Sequence, residues 1–70
     1  MSDSLGEALP KEQARVRALI VQYRDPLLAG AGDFAAAFME QDLQKTDEAV
    51  MSGDAVEMIR MYQKLKEWES

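Results

Sequence analysis

The chain has 70 residues, a formal net charge of −5, and neither cysteine nor histidine. That composition describes one small domain without disulfides, poor in transition-metal ligands, whose usual remaining source of extra stability is self-association. The acid excess falls entirely within residues 33–70, while charges balance over 1–32. No basic stripe faces a phosphate backbone, so direct nucleic-acid binding is disfavoured.

Residues 1–9 read as a flexible N-terminal arm pinned by Leu5 and Leu9, ahead of a single helical domain over 10–70. The opening Met-Ser-Asp-Ser is acidic and lacks a signal-peptide apolar core. No run of about 18 apolar residues exists to span a bilayer. The most apolar region, Ala18 to Met39, is interrupted by Arg24, Asp25 and Asp33. A soluble cytoplasmic protein with no membrane partner is expected.

Pro10 suits a first helical position, where its missing N–H is not needed. Val16, Leu19, Ile20 and Tyr23 then recur at helical spacing, and Asp25-Pro26 ends the segment. Leu27 to Gly32 reads as a connector, with Leu27 and Leu28 as apolar anchors and Gly30 and Gly32 as a flexible turn. Asp33 is the expected cap of a second helix from Phe34 to about Met51. At about 100° per residue, its apolar arc (Phe34, Ala35, Phe38, Met39, Leu43, Ala49, Val50) covers roughly half the circumference.

The strongest local signal is Ser52-Gly53-Asp54-Ala55-Val56-Glu57. Gly53 suits the left-handed residue that stops a helix, Asp54 caps the next, and Glu57 completes an acidic capping box. One helix ends and another begins within about three residues, which folds them into an antiparallel hairpin. The third helix is expected from Ala55 to about Trp68, with Ala55, Met58, Ile59, Met61, Tyr62, Leu65 and Trp68 on its apolar side. Both later stripes exceed the arc of about 100° that one neighbour covers. The expectation is an all-α fold of three helices, the last two in a tight hairpin, doubled as a homodimeric bundle.

Few motifs carry chemistry. Gly53-Asp54-x-x-Glu57-x-Ile59-x-x-Tyr62-Gln63-Lys64, with Ala49 before it, resembles the opening helix of a tetratricopeptide repeat over about 16 residues, without the second copy that a roughly 34-residue period demands. Gly30-x-Gly32 follows a helix instead of a strand, and Asp33 stands where a phosphate would sit, so a connector is the better reading. Without His or Cys there is no imidazole base or thiolate, and Ser52 belongs to a turn. Glu40, Asp47 and Glu48 lack the Glu-x-x-His of a di-iron site, and Asp42 to Asp54 lacks the alternating acids of a calcium loop. No enzyme, cofactor or metal site is expected. The acidic ridge Glu40, Gln44, Asp47 and Glu48 reads as a solvated face, or as a weak imitation of a nucleic-acid backbone.

Asp42 is the odd residue, projecting from the middle of the apolar arc. An unpaired buried carboxylate is costly, so a salt bridge to Arg15 or Arg17 is expected, within the chain or across a dimer, or else a partner's cation. Met61 and Trp68 lie about 60–80° round from the Met58–Tyr62 line that the hairpin should bury, and form the expected recognition patch. Arg17 and Asp42 would add a polar rim. The candidate partner or dimer interface is thus Phe34, Phe38, Asp42, Met58, Met61, Tyr62, Trp68 and Arg17.

Leu5-Gly6-Glu7-Ala8-Leu9-Pro10, Ala14-Arg15-Val16-Arg17, the stretch from Gly30 to Asp42, Ser52-Gly53-Asp54 and Met58-Ile59-Arg60 together resemble a group of small, largely uncharacterised helical proteins encoded in phages and prophages of Gram-negative proteobacteria. The resemblance spans most of the chain. It implies an accessory protein that binds a host protein in the host cytoplasm and alters its activity, and it carries no catalytic residues. The leading expectation is a non-catalytic protein-binding module, a modulator or inhibitor of a host protein. The alternatives are a phage structural or assembly accessory and an acidic nucleic-acid mimic.

Overall fold

Residues 4–68 are described in a computed structural model: α1 (Leu5–Tyr23), a 3-10 turn (Pro26–Leu28), α2 (Asp33–Ser52) and α3 (Ala55–Lys66). The all-α fold of three helices, with α2 and α3 joined in a tight hairpin, is as expected. Among the described residues no helix is long and apolar enough to cross a membrane.

The first helix begins five residues before Pro10, so the expected arm is corrected: residues 5–9 are helical, and residues 1–3 lie outside the described part. The Ser4 carbonyl accepts the Glu7 and Ala8 N–H groups at 3.0 and 2.8 Å. Pro10 therefore sits in the second turn, where it removes one hydrogen bond to Gly6. Burial outweighs that loss, because Leu9 is enclosed and Leu5 packs against the same core.

After Tyr23 the Asp25 side chain accepts the Leu27 N–H at 2.9 Å and starts the 3-10 turn. Ala29 and Gly30 then take positive φ, 51° and 85°. Gly32 has an ordinary φ of −95°, and its need for glycine is steric, since a Cβ there would collide with the Tyr23 carbonyl. The pair is not a merely flexible turn. Gly32 also takes the capping position expected of Asp33: its carbonyl accepts the Ala36 N–H at 3.0 Å. Asp33 moves into the first turn, where its charge still complements the helix dipole.

The α2–α3 turn follows its local chemistry. Gly53 has φ 70°, its N–H reaches the Val50 carbonyl, and the Asp54 N–H reaches Ala49, which is a Schellman closure. Asp54 Oδ1 accepts the Glu57 N–H at 3.1 Å. The Glu57 carboxylate pairs with Arg60 at 2.9 Å instead of closing the capping box.

The helices run up, down and up, and each packs against both others. Leu9, Val16 and Leu19 of α1, Met39 and Leu43 of α2, and Leu65 of α3 form the core. The buried face of α2 is Ala36, Met39, Asp42, Leu43, Thr46 and Ala49, so the expected arc is corrected: Phe34 and Phe38 fall outside it. Twelve residues make α3 about 18 Å long against about 30 Å for α2. The N-terminal half of α2 therefore outruns the third helix.

Candidate functional site

Asp42 is 3% exposed and fully engaged within the chain, but not by the expected arginines. Its Oδ2 accepts the Trp68 indole N–H at 2.9 Å, and its Oδ1 faces Lys64 Nζ at 3.2 Å. Arg15 is committed elsewhere. Its guanidinium donates to the Trp68 carbonyl at 2.7 Å, the Leu65 carbonyl at 2.8 Å and the Glu12 carboxylate at 2.6 Å. Arg15 thereby satisfies the Trp68 carbonyl and gives a second donor to that of Leu65, which also accepts the Trp68 N–H at 3.2 Å, with a positive charge at the negative dipole end. Arg17 lies exposed on α1. Buried Asp42 and the more exposed Arg15 and Lys64 form a lock that holds α3 on α1 and α2, and it leaves no carboxylate to offer outward from this position.

The expected recognition patch is corrected too. Met61 is 3% exposed and belongs to the interior, while Trp68 is half-buried and tied to Asp42. Met58 and Tyr62 are half-buried against the core, with Lys66 Nζ 5.3 Å from the Tyr62 ring centre. The hairpin thus buries both the Met58–Tyr62 line and the Met61–Leu65 line. Indexing α3 from Leu65 puts Val56 about half a turn away, on the outward side.

Among the described residues, two groups of exposed apolar side chains stand out. One lies at the start of α2, where Phe34 is 84% and Phe38 55% exposed, with Leu27 close by in sequence. A shallow depression there is lined by Phe34, Ala37, Phe38, Glu40, Gln41 and Gln44, and an adjoining one by Arg24, Asp33, Phe34 and Ala37. Arg24 Nη2 and Glu40 Oε1, 2.9 Å apart, mark its rim. The other lies at the hairpin tip, with Val50, Met51, Val56 and Ile59 exposed, Met51 at 87%. Nearby in sequence are Asp47, Glu48, Asp54 and Glu57. Asp47 accepts a hydrogen bond from Gln13 at 2.9 Å, so part of the supposed acidic ridge binds α1.

Phe34 and Phe38 were legible as interface candidates from the breadth of the α2 stripe. Met51 and Val56 were not, because each falls outside the apolar arc of its own helix. An apolar residue opposite the buried stripe is the signal that marks them. Both regions offer apolar contact surface framed by charge. No protein-family model matches this sequence, and no curated protein or solved structure is significantly similar to it.

Proposed function

We propose that this protein is a small, non-catalytic protein-binding module that works as a homodimer and engages its partner through the hairpin tip. The observation that carries the reading is the exposure of Met51 and Val56 beside a turn rich in carboxylates. Flexible, polarizable Met suits an adaptable contact, and the acids select a partner segment that is apolar and carries Lys or Arg. The resemblance to prophage-encoded proteins supports a host protein as that partner, bound in the host cytoplasm and modulated by the binding.

Capture from a Gram-negative cell lysate, followed by crosslink mapping of the bound segment, tests this. The expected segment is apolar and basic, and its capture weakens with salt and is lost with Met51→Glu or Val56→Glu. No specific capture, or capture that neither substitution affects, overturns the reading.

A further inference from the structure

Resting on the hairpin-tip contact in that reading, we infer that Met51 is a site of reversible oxidation to the sulfoxide, which switches the tip off without unfolding the chain. Burial separates the methionines of the described residues. Met39 and Met61 are 0% and 3% exposed, and Met58 is half-buried against the core, whereas Met51 is 87% exposed. A thioether reacts with a peroxide at its sulfur lone pair, so the rate follows exposure and Met51 reacts first among them.

The sulfur lone pair attacks one oxygen of hydrogen peroxide, and the S–O bond forms as the O–O bond breaks. The departing hydroxide takes the proton from the transferred oxygen and leaves as water. Sulfur loses two electrons and the peroxide gains them. Two thiols return those electrons, becoming a disulfide and releasing the oxygen as water.

The fold does not depend on this sulfur. The end of α2 is closed by backbone groups of Ala49, Val50, Gly53 and Asp54, and by the Ser52 hydroxyl donating to the Ala49 carbonyl at 3.1 Å. The contact does depend on it. Oxidation turns a flexible apolar side chain into a polar one, whose S=O would be stripped of water against an apolar partner segment. A bound partner in turn shields the sulfur from peroxide.

Mild treatment with hydrogen peroxide, followed by peptide fragmentation in a mass spectrometer, should add one oxygen to Met51 on the order of tenfold faster than to Met39 or Met61. The melting temperature should not change at that stage. Capture from the Gram-negative lysate should be lost on oxidation and restored by methionine sulfoxide reductase with a thiol. Met51→Leu keeps the apolar bulk without the sulfur, and should capture equally before and after peroxide. Oxidation of Met39 or Met61 as fast as Met51, or a melting temperature lowered by oxidation at Met51 alone, overturns the site. Capture that survives oxidation of Met51, or that peroxide abolishes equally in Met51→Leu, overturns the switch. No capture by the untreated chain overturns the hairpin-tip reading and the switch with it, while the oxygen map decides the modification site independently.

Discussion

The indole N–H of Trp68 donates to the Asp42 carboxylate at 2.9 Å and so fastens the last turn of the chain to the middle of α2. The contact spans 26 residues in sequence. It makes a buried acid and the only tryptophan a single structural unit, with Lys64 balancing the charge from a half-exposed position. Thr46 sits one turn below, its hydroxyl donating to the Asp42 carbonyl at 2.7 Å.

Asp42→Ala should destabilise the fold by about 1–3 kcal/mol, since it leaves the half-buried indole N–H without its acceptor. The loss stays below that of a fully buried ion pair because Lys64 can turn its ammonium to water. Asp42→Asn should cost less, as the amide oxygen still accepts from Trp68. Urea unfolding followed by circular dichroism measures both, and equal losses would show that charge, not the indole contact, carries the effect.

Arg15→Met should loosen the end of α3 more than it lowers global stability. The substitution keeps apolar bulk but deletes the donors to the Leu65 and Trp68 carbonyls. Hydrogen exchange should quicken in residues 64–68 while the centres of α1 and α2 keep their protection. Unchanged exchange there would mean that Trp68 alone holds the terminus.

At the hairpin, Asp54→Ala should cost about 1 kcal/mol through the lost cap on the Glu57 N–H. Gly53→Val should cost more, although no atom stands within 4 Å of an added Cβ, because the penalty lies in the left-handed backbone alone. Gly53→Asn, which tolerates that conformation, should recover much of the loss. Thermal melts of the three variants give the order, and Asn melting no higher than Val would rule out a backbone origin.

Gly32→Ala should be the most damaging glycine substitution despite its ordinary φ. The new methyl would collide with the Tyr23 backbone and force α1 and α2 apart at their junction. Gly30→Ala meets only the tip of the Asp33 side chain at 3.5 Å and pays mainly for its positive φ. A melting temperature for Gly32→Ala above that of Gly30→Ala would contradict the close approach.

The hairpin was legible because all of its determinants lie within six residues. Gly53 and Asp54 act on backbone groups three to five positions away, so the sequence window contains the whole cause. Helix number and the apolar identity of Val16, Leu19, Met39 and Leu65 were legible for a similar reason, since a helix face repeats at fixed spacing. Pro10 misled about the start of α1, because the burial of Leu9 comes from distant helices and is invisible to a local rule.

Composition and periodicity by themselves determined an all-α chain, its three helices, the place of the sharp turn and the presence of more apolar surface than one hairpin covers. Only the tertiary structure decided which surface that is. The 12-residue α3 ends at Asp42, which turns Met61 inward, leaves Phe34 and Phe38 outside, and gives Asp42 to Trp68 and Lys64 instead of to an arginine of α1. The reason is physical: helical periodicity sets which residues share a face, while burial depends on where a neighbouring helix begins and stops, and that is settled by contacts between residues far apart in the chain.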